Sequence, residues 1–163
     1  MKKLILLLPI LSFNCFAEEN SQTENYSIGI GMGAMYSGIG ANVAVVSKND
    51  FKYISAGCNA YSSANGSECG FSIGWVTTDL FDFATNNHGF GIYAGMLGTE
   101  RYATLKNNQY SFQEHNYYGA GASYTYFVNG INKSGVTFGI SFHATNAEFE
   151  GKGGGFFQLG YQF

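Results

Sequence analysis

The sequence is poor in proline, in charged residues and in long apolar segments. Its single proline, Pro9, lies near the N-terminus, so the rest of the chain lacks the residue that cannot donate a hydrogen bond within a β-sheet. Charged residues make up 12% of the chain, and after residue 17 no apolar run reaches the roughly 20 residues that a membrane-spanning helix requires. These absences exclude a helical membrane protein and favour strands.

The first seventeen residues have the organisation of a secretory signal peptide. Lys2 and Lys3 precede an apolar run from Leu4 to Phe13, and Ala17 stands just before two acidic residues. We therefore expect cleavage after Ala17 and export from the cytoplasm.

Removal of residues 1–17 leaves a chain long enough for one domain. We expect a flexible periplasmic leader over residues 18–25 and a single folded domain over residues 26–163. Six basic and eleven acidic side chains remain, a net charge of −5. This acidic balance argues against nucleic acid as a partner, because nucleic-acid sites depend on basic surfaces.

Glycine and aromatic residues are abundant, and they alternate. In the first such stretch Tyr26, Ile28, Ile30 and Met32 alternate with Ser27, Gly29, Gly31 and Gly33. The same period of two recurs at about residues 41–47, 51–58, 69–78, 88–97, 115–128 and 136–143, and again after residue 153. A period of two places one set of side chains on each face of a strand. The pattern predicts an all-β fold, an eight-stranded antiparallel up-and-down transmembrane β-barrel with its apolar side chains outward.

The last strand carries a recognisable signature. Phe157, Leu159, Tyr161 and Phe163 fall on one face and end the chain on an aromatic residue. This ending resembles the C-terminal insertion signal of bacterial outer-membrane β-barrels, and the whole mature chain resembles the small OmpA/OmpX-type barrels. The resemblance implies a bacterial outer-membrane location, contact with outer-membrane lipid and lipopolysaccharide, and recognition by the barrel-assembly machinery.

A barrel of eight strands has a lumen about wide enough for side chains, so we expect no diffusion pore. The many inward glycines leave open a cavity or a water column. We further expect a monomer that binds no cofactor and no metal.

Two of the three cysteines remain after cleavage. Cys58 and Cys69 fall at the outer ends of the third and fourth predicted strands, and facing residues of paired strands lie near the separation that a disulfide requires. We predict a Cys58–Cys69 disulfide that stabilises the hairpin by about 3 kcal/mol. A reactive thiol or a metal pair is less well supported, since no histidine or third cysteine lies nearby in sequence.

One segment resembles a catalytic motif. The run from His143 to Ala147 is similar to the His-x-Ser-Asn motif of lipid A deacylases, which are eight-stranded barrels. That resemblance implies His143 as base, Thr145 as nucleophile, and Glu150 or Glu148 as the residue that orients the imidazole. Threonine is a hindered nucleophile, and the period of two places His143 and Thr145 on the lumen face, away from lipid. We therefore expect no catalysis.

The longest predicted connection, Gly98–Glu114, is the candidate for binding other molecules. Loops on rigid scaffolds often carry binding residues, and this one holds Arg101, Tyr102, Lys106, Tyr110 and Phe112. The alternative is a mobile, solvated loop that rests on the barrel rim. We expect a structural or surface-interaction protein. The alternatives are an outer-leaflet lipid-modifying enzyme and a soluble periplasmic barrel that binds a small apolar ligand.

Overall fold

The computed structural model describes residues 25–62, 66–81, 83, 85–106, 109–148 and 151–163. These residues form a closed barrel of eight strands in which each strand pairs antiparallel with the next and the last pairs with the first. The predicted all-β, eight-stranded antiparallel up-and-down barrel is confirmed. The predicted signal peptide and nearly all of the leader lie outside the described residues. The strands are β1 (Asn25–Gly33), β2 (Gly38–Val46), β3 (Asp50–Ser62), β4 (Gly66–Thr77), β5 (His88–Lys106), β6 (Gln109–Phe127), β7 (Gly135–Thr145) and β8 (Gly153–Gln162).

Apolar side chains cover the outside of the barrel. They come from alternate positions of every strand, as the period of two predicts, and they are exposed on the isolated chain. The larger ones include Ile28, Ile30, Val43, Ile54, Phe71, Ile73, Ile92, Tyr118, Phe138, Phe142, Phe157 and Leu159. No helix in the described part of the chain is long and apolar enough to cross a membrane.

The lower end of the lumen, where β1 begins and β8 ends, is closed by packed apolar side chains. Phe51, Val76 and Phe127 are buried there, with the rings of Phe51 and Phe127 centred 5.8 Å apart. Ile131 from the β6–β7 turn is buried with them.

The middle of the lumen is occupied by the connection between β1 and β2. This connection, Ala34–Ser37, turns into the barrel instead of rising from it, and all four of its residues are buried. We call it the plug. The Tyr36 hydroxyl lies 2.9 Å from Thr137 Oγ1 on β7 and accepts a hydrogen bond of 3.1 Å from the Gln162 amide on β8.

A row of glycines makes room for the plug. One glycine from each of five adjacent strands lies in register across the wall, in the order Gly160, Gly31, Gly40, Gly57 and Gly70. A Cβ atom at any of the first four would collide with Tyr36. The inward glycines therefore leave no empty column at this level, because the plug fills the space that they vacate.

Three serines fix the other end of the plug. The Ser37 hydroxyl lies 2.8 Å from that of Ser55 on β3 and 3.0 Å from that of Ser72 on β4. The Asn42 amide donates to the Met35 carbonyl at 3.3 Å. These contacts satisfy polar groups that would otherwise be buried at a cost.

The prediction of a long loop over Gly98–Glu114 is wrong. β5 and β6 each continue for 19 residues and remain paired up to Lys106 and Gln109. The third and fourth strands also extend further than predicted, to Ser62 and from Gly66. In both hairpins the two strands remain paired with each other beyond the point at which their neighbours stop pairing with them. The neighbours are β2 and β5 for the β3–β4 hairpin, and β4 and β7 for the β5–β6 hairpin.

Candidate interaction surface

The most prominent feature of the barrel is the upper part of the β5–β6 hairpin. β4 pairs with β5 only as far as Gly95, and β7 pairs with β6 only as far as Gly119. Beyond these points β5 and β6 pair with each other alone, from Gly98–Tyr117 to Lys106–Gln109. We call this two-stranded segment, residues 98–106 and 109–117, the ribbon. At about 3.3 Å per residue the ribbon is roughly 30 Å long.

A β-bulge at the base of the ribbon sets which side chains face which way. The register shifts between Met96, which faces Tyr118, and Gly98, which faces Tyr117, so β5 has one residue more than β6 at this point. Leu97 and Glu100 both point inward and are buried. A bulge changes the alternation by one residue, and here it turns Thr99 and Arg101 outward.

The base of the ribbon covers the upper end of the lumen. Glu100 is only 1% exposed, and its Oε2 accepts a hydrogen bond of 3.2 Å from the Glu148 amide. Asn146 Oδ1 accepts a hydrogen bond of 2.7 Å from the Tyr118 amide, and Ala147 is buried beneath. The connection between β7 and β8 is thereby fixed to the ribbon, so the base is part of the barrel and only the distal part is free of it.

The outer face of the ribbon carries a polar belt and then an apolar tip. The belt consists of two cross-strand pairs, Thr99–Asn116 with a hydrogen bond of 3.0 Å and Arg101–Glu114 with an ion pair of 2.8 Å. The tip consists of the next two outward pairs, Ala103–Phe112 and Leu105–Tyr110. Leu105, Tyr110 and Phe112 are 61%, 75% and 80% exposed. Large apolar side chains on a projecting element are typical of an interaction surface.

The five residues predicted for binding divide between the two faces. Arg101, Tyr110 and Phe112 lie together on the outer face. Tyr102 lies on the inner face, where its hydroxyl donates to Gln113 Oε1 at 3.0 Å. The side chain of Lys106 is outside the described residues. The sequence analysis did not single out Ala103, Leu105 and Glu114. The sequence does show that Ala103 and Leu105 follow Arg101 at intervals of two residues, and that Glu114 follows Phe112 in the same way.

Two residues of the deacylase-like motif, His143 and Thr145, have separate hydrogen-bond partners. His143 faces the lumen, with its Nδ1 3.4 Å from the Tyr93 hydroxyl and its ring stacked on Phe156 at 4.9 Å. The Thr145 hydroxyl donates to the Gly151 carbonyl and accepts from the Ala147 amide, each at 3.3 Å. Between His143 and Thr145 no side-chain hydrogen bond is found. Glu150 lies outside the described residues.

The predicted disulfide between Cys58 and Cys69 is confirmed. The two residues face each other on β3 and β4, directly below a bulge in β3. Both stand at outward positions, with Cys69 exposed.

The four residues of the C-terminal signature all lie on the outer surface. Phe157, Leu159 and Tyr161 are exposed outward on β8, and the Phe163 amide donates to the Ile28 carbonyl at 2.9 Å. The Tyr161 and Phe163 rings pack edge to face with centroids 4.9 Å apart. Their part in membrane insertion stays a prediction.

Comparison with known proteins gives no relative: no family model, no curated protein and no solved structure matches the chain. In the described ranges, no group of three or more histidine, cysteine, aspartate or glutamate side chains is placed to hold a metal ion.

Proposed function

We propose that this chain is a bacterial outer-membrane β-barrel with a structural or surface-interaction role and no catalytic activity, and that the distal ribbon is its contact element outside the cell. The observation that carries the proposal is the distribution of side chains. Apolar residues cover the outside of all eight strands, while buried serine, threonine, asparagine and glutamine side chains lie within. Water-soluble proteins rarely expose so many large apolar residues together, whereas a barrel in lipid requires an apolar outer surface.

Aromatic rings at the lower edge of the apolar surface support the same conclusion. Phe81 in the β4–β5 connection packs edge to face on Phe90 at 4.7 Å, and Phe90 lies 5.2 Å from Tyr124. Further round, Tyr126 contacts Phe138 at 5.1 Å. Trp75 donates to Asp50 Oδ1 at 2.8 Å. Aromatic side chains with a polar atom at one end favour the boundary between lipid and water.

The filled lumen supports an interaction role over transport. The plug occupies the middle, aromatic rings occupy the lower end, and Leu97, Glu100 and Ala147 occupy the upper end. At the upper end, the ribbon is the described element with the largest exposed apolar side chains, Leu105, Tyr110 and Phe112. A lipid-modifying role for His143 lacks support, because Thr145 hydrogen-bonds to backbone groups instead of to the imidazole.

Two substitutions to arginine test the membrane location. Ile73 and Phe112 are both apolar and exposed, but Ile73 lies on the barrel wall and Phe112 on the ribbon. We expect Ile73→Arg to destabilise the barrel in bilayers by about 2–4 kcal/mol and Phe112→Arg to leave its stability unchanged. Folding is followed by the heat-dependent shift in gel mobility of barrels reconstituted in lipid vesicles, and location by fractionation of the cell envelope.

A soluble barrel gives a different result. Both exposed apolar residues would then accept arginine equally well, and the wild-type chain would be recovered with soluble periplasmic proteins. Either finding contradicts the proposal.

A further inference from the structure

We propose that the outer face of the ribbon is an interface between two copies of this chain, related by a twofold axis that runs along the membrane normal. The inference rests on the proposed function, since it requires both barrels to stand upright in one membrane. The sequence alone led us to expect a monomer. The register of the ribbon changes that expectation.

The symmetry determines which residues meet. In the proposed dimer both ribbons stand parallel to the twofold axis, which keeps every residue at its own height and turns the second ribbon to face the first. β5 of one copy then lies opposite β6 of the other. Each outward cross-strand pair within one ribbon is consequently repeated across the interface, as an isologous contact requires.

The charges on the belt are self-complementary under this operation. Within one chain Arg101 Nε lies 2.8 Å from Glu114 Oε1, and both side chains remain partly exposed. Across the axis Arg101 faces Glu114 of the second copy, and Glu114 faces its Arg101. Four alternating charges then form a closed ring in place of two separate solvated pairs, and opposite charges specify register as well as affinity. Thr99 and Asn116 face each other in the same way.

The tip is complementary in size. The Ala103–Phe112 pair places a small residue beside a large one, so Phe112 of each copy faces Ala103 of the other. One pair further along, Leu105 faces Tyr110. Full burial of an aromatic side chain removes about 150–250 Å². Tyr110 and Phe112, which are 75% and 80% exposed, therefore supply roughly 300 Å² per copy, a substantial part of the ~800 Å² per partner of a stable interface.

The barrel wall below the ribbon allows two copies to approach each other. The outward face of β5 and β6 there carries Ala94, Ala120 and Ala122, all exposed, and Ala94 pairs directly with Ala120. Ile92 and Tyr118 on the same face are larger, and a second outward alanine pair, Ala41 with Ala56, lies between β2 and β3. Small side chains permit close approach of surfaces within lipid.

Dimerisation would also stabilise the ribbon. A two-stranded hairpin on its own is marginally stable in water, and the distal ribbon has no neighbouring strand on either edge among the described residues. Two ribbons packed face to face form a small two-layered structure with a shared apolar interior, as in sheets that pack about 10 Å apart.

Complementary charge variants test this interface. Arg101→Glu gives a belt with two acidic residues, and Glu114→Arg gives a belt with two basic residues. We expect the wild type to be a dimer in detergent micelles and each variant alone to be a monomer with at least tenfold weaker self-association. Sedimentation equilibrium with density-matched detergent measures the protein mass.

Co-expression of the two variants with different affinity tags separates contacts between copies from contacts within one chain. The ion pair within each chain stays broken in both, so only contacts between copies can restore association. We expect each tag to recover the other variant from the outer membrane, whereas two differently tagged copies of the same variant do not copurify. Lys133→Glu, a charge reversal at the opposite end of the barrel, serves as the control and should leave the dimer unchanged.

Two outcomes overturn the inference. One is a wild-type protein that stays monomeric at the highest concentration measured, and the other is a mixture of variants that does not copurify. The chain could instead be a monomer that binds another protein and loses this binding when the ribbon is substituted. In that case the other protein binds the outer face of the ribbon, and the inference is wrong. Recovery of a monomer from the outer membrane refutes this inference and leaves the proposed location intact, whereas recovery from the soluble fraction refutes the location itself.

Discussion

Two hairpins leave the same end of the barrel and take opposite courses. The β1–β2 connection is four residues long and turns into the lumen, where all of it is buried. The β5–β6 hairpin continues outward as the ribbon, whose tip residues remain exposed. The two connections therefore differ in their surroundings: one fills the interior of the barrel, and the other carries exposed apolar side chains at its tip. Substitutions should therefore affect stability in the first region and association in the second.

The largest effect on stability is expected from crowding the glycine row. A Cβ at Gly57 would collide with the carbonyl oxygen of Tyr36 and lie 2.8 Å from the carbonyl oxygens of Ser37 and Ile39. Backbone atoms cannot rotate away, so Gly57→Val should destabilise the barrel by about 3 kcal/mol or prevent its closure. Gly151→Ala is the control, because the nearest atom to its new Cβ is 3.6 Å away. Urea unfolding in lipid vesicles compares the two, and equal stabilities would show that the plug is not held by the row.

A smaller effect is expected from removing one hydroxyl in each region. Tyr36→Phe leaves the buried groups of Thr137 and Gln162 without their shared partner. This should lower the free energy of unfolding by about 1–3 kcal/mol. Tyr110→Phe removes the same atom from the exposed tip and should change stability by less than about 0.5 kcal/mol. If the two substitutions cost the same, the contrast between plug and ribbon is wrong.

The smallest effect on stability is expected from shortening the ribbon. Replacing residues 102–113 with a Gly-Ser turn removes the tip but keeps Leu97 and Glu100, which cover the lumen. The barrel should assemble and unfold within about 0.5 kcal/mol of the wild type, while self-association and attachment to host cells, matrix or other envelope proteins are lost. Survival of every interaction measured for the intact chain would exclude the ribbon as the contact element.

The barrel itself was predictable because its signal is local. A strand between lipid-like and lumen environments must alternate every second residue, and that alternation is visible from Tyr26 to Met32 without any knowledge of neighbours. The Cys58–Cys69 disulfide follows from the same reasoning, since the alternation predicts that both cysteines lie at facing positions of two paired strands.

The ribbon was not predictable as a strand, because the alternation weakens beyond Met96. Polar residues appear on both faces there: Arg101 and Glu114 outward, Tyr102 and Gln113 inward. The bulge after Met96 also shifts the alternation by one residue. When both faces of a strand lie in similar surroundings, apolar and polar residues need not alternate. The strands of the ribbon are therefore identified by their cross-strand pairing.

The plug was hidden for a different reason. Met35 and Tyr36 look like ordinary residues of a short connection. Their burial depends on glycines as distant as Gly57 and Gly160, which no single stretch of sequence connects. The same applies to the outer face of the ribbon, where the pairing of β5 with β6 brings Arg101 and Phe112 onto one face.

The position of the plug has a consequence for the order of events during assembly. Tyr36 is enclosed by β1, β2 and β3 from one end of the chain and by β7 and β8 from the other. After closure, packed side chains block both ends of the lumen, so the plug has no route in or out. We therefore expect the plug to dock before β8 joins β1 along a seam of four residue pairs. On this view closure of the seam commits the chain to the folded barrel, and its reopening begins unfolding.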